Sequence, residues 1–553
     1  MSTERIRRVP GSAVLAITML VGVLTLPGCG FPGRAADEPA RTGIIAFSEA
    51  DLVNPMRGQY ENLGTPLFPQ SNPADHRHPP WPGTTDISLR IDWRTLQPRD
   101  PRKLPPNARD DQKYDFGVLD RALAAAAKNG RRVGFRVTAF NSCCETRYPN
   151  GIDIAVPDWL PTVSGATRTY EHDKVRYVIP EWNNKAYLSY FADLLAALGR
   201  RYDRNERLAI VEMSGYGDFS ENHVAFMRDT LGIPGPAPER SRAELGYFSQ
   251  YRDQYITKDS ITFLVNANLS AFPSTQLIAA TGNPEITRQL FRDSPLLLNR
   301  AKPVGIRADG LGAFRPIPTW AENQYSWYVE NHDPMVNVVA NRFRIAPIVT
   351  EWIPDPPPAA TVGYYLTGLR DVVNDHVSMT ASTGFPGQLT DTPMPTDQFE
   401  IWSKANKFSG YRYAVTAADA TQPVQASTSF SLRFDWTNFG SAPTYERWQP
   451  EYHIVSSKDR ALVRTVPAGV NLRNLVADQY FDNATDTPIA KSTTDAITID
   501  DGLPPGRYTV LARVLWREHK SNASTTVDFP PMNLAQFGRD VDGGYPILTF
   551  TVE

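Results

Sequence analysis

Leu208-Ala-Ile-Val-Glu-Met-Ser-Gly-Tyr-Gly-Asp-Phe-Ser-Glu-Asn-His223 is an apolar run that stops at glycines and then delivers a carboxylate. The run predicts a strand ending at Ser214, and Gly215 and Gly217 permit a sharp exit or a close backbone approach. Such an exit presents Glu221 at the strand tip, with Tyr216, Phe219 and His223 as apolar and hydrogen-bonding walls able to raise a carboxyl pKa. Immediately upstream, Asn184 to Arg200 carries Tyr187, Tyr190, Phe191, Leu194, Leu195 and Leu198 at helical spacing, so an amphipathic helix feeds this strand.

Outward from it, short apolar runs alternate with helical stretches from Ala46 to about Arg412, the pattern of a parallel α/β fold. The helix Gly117 to Asn129 ends at Gly130 and feeds Arg132-Val-Gly-Phe-Arg-Val-Thr138, which makes a βαβ unit. Earlier strands are expected near Met56 to Tyr60 and over Asp86 to Trp93. Later ones are expected at Gln276 to Thr281, Pro303 to Ala308, Ala346 to Thr350 and His376 to Thr380, with a closing helix through Phe399-Glu-Ile-Trp402. Eight such units predict a (β/α)8 TIM barrel whose extra length over the usual ~250 residues lies in long strand-to-helix loops. Beyond Tyr411 the period changes to short alternating strands with turn chemistry, for example Ser427 to Trp436 turning at Asn438-Phe-Gly440, and Gly506 to Trp516 after Leu503-Pro-Pro-Gly506. That change predicts a C-terminal antiparallel β-sandwich. The expected division is a signal peptide over 1–28, a tether over 29–45, a barrel over 46–410 and a sandwich over 411–553.

A second acid follows 130 residues after Glu221 (351 − 221), in Ala346-Pro-Ile-Val-Thr-Glu-Trp352. Cleaving an acetal at neutral pH needs a proton for the leaving oxygen and an anion to meet the oxocarbenium-like centre, so two carboxyls suffice. Glu221 and Glu351, on strands four and seven of a barrel, would face each other across its mouth. Each has a structural alternative: Glu221 at a helix N-terminus, Glu351 in an ion pair with a barrel arginine such as Arg307. Asp218 is the alternative acid on the same loop. Arg90, Asp92, Arg136 and Arg307 recur near strand ends, either tuning a carboxylate or forming a buried salt-bridge layer. Trp93, Tyr216, Trp320 and Trp352 are candidates for stacking on sugar faces, against the alternative that they pack in the core, and His223 is a further wall of the site.

Asn54-Pro-Met-Arg-Gly-Gln-Tyr60, Arg90-Ile-Asp-Trp93, Pro180-Glu-Trp-Asn-Asn-Lys-Ala-Tyr187, Gly217-Asp-Phe-Ser-Glu-Asn-His223, Val349-Thr-Glu-Trp352 and Asn438-Phe-Gly-Ser-Ala-Pro-Thr-Tyr445 carry a resemblance. The chain resembles the large clan of retaining glycoside hydrolases with a TIM barrel, and within it bacterial glycosidase-like proteins that add a C-terminal β-sandwich. The resemblance implies Glu221 as acid/base, Glu351 as nucleophile, a carbohydrate substrate and no cofactor. In well-characterised clan members an Asn commonly precedes the acid/base; Ser220 stands there in this chain. A non-catalytic carbohydrate-binding protein and an envelope scaffold remain the alternative readings.

Composition narrows the partners. A formal net charge of −3 without basic runs argues against nucleic acid. Arg5, Arg7 and Arg8 precede an apolar segment from Ser12 to Leu26, and Leu26-Pro-Gly-Cys29 resembles a bacterial lipoprotein signal. That resemblance implies export, lipidation at Cys29 and attachment to the outer face of the cell membrane. The two other cysteines, Cys143 and Cys144, are adjacent and read as loop-shaping. His76 and His78 look like a metal pair but lack an evident third ligand, so no metal site is expected. The chain has no Gly-x-Ser-x-Gly elbow, phosphate-binding glycine loop or His-Glu-x-x-His helix.

Overall fold

Eight parallel strands close into a barrel in which every strand pairs with its neighbours in sequence order. The computed structural model describes residues 43–62, 83–142, 151–224, 227, 231–232, 256–298, 300–322, 326–352, 362–381, 395–420, 424–476, 481–482 and 487–553. The barrel strands are β1 (Gly58–Asn62), β2 (Asp86–Asp92), β3 (Arg132–Thr138), β4 (Leu208–Glu212), β5 (Gln276–Ala280), β6 (Gly305–Leu311), β7 (Ile348–Trp352) and β8 (Met379–Ala381). β3 and β4 are buried along their whole length. Helices cover their outer face and side chains fill the interior, which is why these runs read as continuously apolar. The interior filling includes Tyr60, Ile210, Ile278, Val349, Met379 and Ala381.

The outer layer includes α1 (Gly117–Lys128), α2 (Lys185–Tyr202), α3 (Lys258–Ala271), α4 (Val362–Asn374) and α5 (Thr396–Phe408). In α2 the Asn184 side chain caps the first turn by accepting from the Ala186 and Tyr187 amides. The apolar stripe running from Tyr187 to Leu198 is buried against the barrel.

The C-terminal region is a sandwich of two four-stranded antiparallel sheets. One contains Gly43–Ile44, β9 (Tyr413–Ala420), β10 (Phe430–Asn438) and β13 (Lys491–Ile499). The other contains β12 (Leu462–Pro467), β11 (Trp448–Ser456), β14 (Gly506–Trp516) and β15 (Tyr545–Val552). Phe434 of β10 stacks on Tyr452 of β11 at 4.2 Å between centroids, and the Trp436 indole donates to the Tyr452 hydroxyl at 2.8 Å. These contacts join the two inner faces.

The sandwich covers the N-terminal end of the barrel. Arg132, at the start of β3, pairs with Asp86 at 2.9 Å and with Glu446, and lies over the rings of Trp516 and Phe529. The Lys520 ammonium donates to the carbonyls of Asn205 (2.9 Å) and Leu208 (3.0 Å) and to the Thr275 hydroxyl (2.7 Å). Residues from Thr42 to Glu553 therefore form one compact unit. The opposite, C-terminal end carries the strand tips where barrel enzymes place their chemistry.

Several expectations shift. β4 stops at Glu212, two residues before Ser214, so Glu221 lies nine residues beyond the strand in the following loop. β8 begins at Met379 because His376 adopts left-handed backbone (φ 54°) and its Nδ1 is held by the Ser441 carbonyl at 2.6 Å. Gly43 and Ile44, read as tether, pair with Ala418 and Ala417 as a sandwich strand. A small sheet of Ile152–Asp153, Thr167–His172 and Val175–Pro180, inserted between β3 and α2, was not expected. Cys29, His76, His78, Cys143 and Cys144 lie outside the described residues.

Candidate active site at the barrel mouth

Side chains alternate across a strand, so Arg307 and Asp309 of β6 share the inward face. Asp309 is the register partner of Glu351 on β7, and Arg136 of β3 is the partner of Arg90 on β2. The upper rim therefore collects acids and arginines from adjacent strands. Arg136 pairs with Glu212 at 3.1 Å through Nη1 and with Glu221 at 2.9 Å through Nη2. Arg307 approaches Glu212 at 3.5 Å through Nε, Asp309 at 2.6 Å through Nη1, and Glu351 through Nη2. Two guanidiniums thus tie four carboxyls into one cluster.

Glu221 reaches this cluster through an unusual loop. Phe219, Ser220 and Asn222 all hold left-handed backbone, at φ 52°, 63° and 59°. Each such non-glycine residue costs of order 1–3 kcal/mol and persists only where the surroundings over-determine it. They do here. The Ser220 hydroxyl donates to the Val137 carbonyl at 2.7 Å and accepts from the Gly215 amide, and the Asn222 amide group donates to the Ala280 carbonyl at 3.0 Å. The Tyr187 hydroxyl donates to the Gly215 carbonyl at 2.6 Å, and Asn268 clasps both the amide and the carbonyl of Ser214. Gly217, at φ 84°, passes so close to His223 that an added Cβ would stand 2.2 Å from that residue's carbonyl oxygen. The residue preceding Glu221 is thus committed to the scaffold.

Electrostatics separate the acids. Burial pushes Glu221 upward, but the Arg136 guanidinium, aided by His223 and Arg307, overrides it and holds the carboxyl well below the usual range. Burial opposes a charged His223, yet Glu221 at 3.3 Å, with Asp218 and Asp309, raises its pKa above the ordinary imidazole value. Asp218 has no accessible side-chain surface, and burial lifts it to about 6 against the pull of His223 at 3.7 Å. For Asp309, desolvation outweighs the pull of Arg307, and the charges of Glu221 and Glu351 add to it, so its carboxyl lies well above the usual range. Asp309 is crowded by neighbouring atoms yet keeps 29 % of its side-chain surface, more than Glu351 at 15 % or Glu221 at 9 %.

The structure brings together Glu221, Glu351, Arg136, Arg307, Asp218 and His223 of the expected set. Arg90 joins them above the Phe219 ring at 4.9 Å, and Asp92 is buried at the end of β2. The tryptophans and Tyr216 go elsewhere. Trp93 is enclosed by Trp159, Tyr187 and Phe191; Tyr216 packs edge-on to Trp182; Trp352 packs on Tyr364 and Tyr365; Trp320 packs on Tyr328. All four are fully buried, so they form core rather than sugar-stacking walls. Glu212 and Asp309 were missed. Both had a signal: Glu212 closes the apolar run, and Asp309 follows Arg307 at the two-residue strand period.

No family model matches the chain, and comparison with curated proteins gives no match. Among solved structures it is similar to the catalytic domain of beta-amylase from Paenibacillus polymyxa, at 11 % identity over 63 % of this chain and 99 % of that one, with a TM-score of 0.33. It is also similar to endo-glycoceramidase II from Rhodococcus sp., at 13 % identity over 82 % of this chain and 99 % of that one, with a TM-score of 0.37. The fold class, a (β/α)8 barrel with an antiparallel sandwich, stands on the chain's own strand pairing.

Proposed function

We propose that the chain is a glycoside hydrolase acting on an oligo- or polysaccharide by carboxylate chemistry at the barrel mouth. The observation that carries this reading is the cluster of four carboxyls around Arg136 and Arg307, into which a strained, heavily braced loop delivers Glu221. Glu351 is the carboxylate that meets the anomeric carbon. Arg307, bonded to one of its oxygens, fixes the orientation of that carboxyl group at the mouth. Glu221, held ionised by Arg136 and His223, suits the half of the cycle in which a carboxylate takes a proton from attacking water. Arg90 and His223 complete the surface that holds the sugar.

The same ion pairs favour a second reading, a carbohydrate-binding protein that does not cleave, because both glutamates are already neutralised by arginines. Release of reducing ends from a glycan panel separates the two. Cleavage by the wild type that falls ~10²–10⁴-fold in Glu221→Gln and Glu351→Gln, with binding retained, supports the enzyme. Binding without cleavage by the wild type supports the second reading.

The proposed location is the outer face of the membrane, through lipid on Cys29. The sequence Leu26-Pro-Gly-Cys29 after an apolar segment supports it. Cys29→Ser is expected to abolish labelling with a fatty-acid probe; undiminished labelling would refute the anchor.

A further inference from the structure

We propose that Asp309 is the proton donor to the leaving oxygen, a role that rests on the glycosidase reading and that the geometry of β6 and β7 supports. Asp309 and Glu351 are register partners on adjacent parallel strands, whose axes lie about 4.8 Å apart. Both carboxyls hang from one guanidinium, Asp309 on Nη1 and Glu351 on Nη2 of Arg307. Retaining glycosidases hold their two carboxyls about 5–5.5 Å apart, a spacing of the order that neighbouring strands supply.

One cation serves these two acids, and its Nε also faces Glu212, which is shared with Arg136. Closely placed carboxyls cannot all ionise without mutual repulsion, so one retains a proton. The charged and titratable groups around Asp309 are Arg307, Arg136, Glu221, Glu351, His223 and Tyr60. Glu221 is the acid most firmly held as an anion, by a guanidinium on one oxygen and an imidazole on the other. Asp309 has one oxygen buried against Arg307, while its side chain as a whole keeps the largest accessible fraction among the clustered acids. A proton there meets the mouth directly.

In the first step the Asp309 O–H proton passes to the glycosidic oxygen. The bond from that oxygen to the anomeric carbon breaks, its electron pair stays on the oxygen, and a Glu351 oxygen bonds to the anomeric carbon. In the second step water replaces Glu351. Its oxygen bonds to the anomeric carbon, the bond to Glu351 breaks with its electron pair returning to the carboxylate, and the water's proton passes through Glu221 back to Asp309. No oxidant or reductant is required.

The test compares wild type and Asp309→Asn on methyl and 2,4-dinitrophenyl glycosides of a sugar that the wild type cleaves. The dinitrophenolate departs without a proton, so the methyl-to-dinitrophenyl rate ratio is expected to fall ~10²-fold or more, with loss of the basic limb of the kcat/KM pH profile. A ratio and basic limb matching wild type overturn the inference while leaving the glycosidase reading intact. A wild type that cleaves no glycoside overturns the glycosidase reading, and the donor role falls with it. If Asp309→Asn does not fold, Asp309→Glu decides: a basic limb displaced from the wild-type position supports the role, and an unmoved one overturns it.

Discussion

Asp218 is a carboxyl without accessible surface, and its ordinary charge is therefore a burden on the fold. Between about 3.9, the usual value for aspartate, and about 6, the folded chain keeps a proton that the unfolded chain has released. Stability contributed at this residue thus falls as pH rises through that window. Asp218→Asn is expected to raise the unfolding midpoint relative to wild type at pH 7.5, with the advantage shrinking toward pH 4. An advantage that grows as pH falls would contradict the assignment. At this scale the sequence revealed residue types but not partners. The arginines Arg136 and Arg307 were visible at strand ends, yet which acids they hold depends on register between strands that are distant in sequence. The four aromatics misled for a related reason. A tryptophan beside a strand-terminal acid points to the opposite face of the strand, as Trp352 does beside Glu351.

Among the elements, the loop from Met213 to His223 sets the position of the chemistry. Its turn depends on Gly217, where a side chain would meet both the carbonyl oxygen and, at 2.7 Å, the amide nitrogen of His223. Gly217→Ala is expected to cost roughly 1–3 kcal/mol in urea unfolding and to lower glycoside cleavage by displacing Glu221; wild-type stability and rate would refute this account of the loop. Strand β3 was legible to the residue, Arg132 to Thr138, because an apolar run after Gly130 has little freedom to slide. The inserted hairpin was not. Its two-residue turn, Asp173 and Lys174, is left-handed at both positions (φ 46° and 66°) without a glycine, and its first strand has no fully buried residue, so neither turn chemistry nor hydrophobic alternation announces it.

At the scale of the molecule, the sandwich acts as a floor to the barrel. Asn54 exchanges two hydrogen bonds with Asn533, Glu446 pairs with Arg132, and Lys520 satisfies carbonyls before and at the start of β4. A chain cut to residues 46–410 would leave these groups without their partners, and is expected to lack the single cooperative thermal transition of the full protein. A soluble fragment with its own sharp transition would show that the barrel is independent. The motif Asn438 to Tyr445 has a specific physical role: the Ser441 hydroxyl donates to the Val377 carbonyl, the Ser441 amide to the Phe408 carbonyl, and the Tyr445 hydroxyl to the Phe343 carbonyl, joining sandwich to barrel.

The most direct test of the central claim is a crystal structure of Glu351→Gln soaked with an oligosaccharide that the wild type cleaves. The expected result is a sugar ring in the barrel mouth, with the anomeric carbon facing residue 351 and the glycosidic oxygen within about 3.2 Å of a neighbouring carboxyl. A saccharide bound away from the Arg136–Arg307 cluster, with the mouth unoccupied, would contradict it.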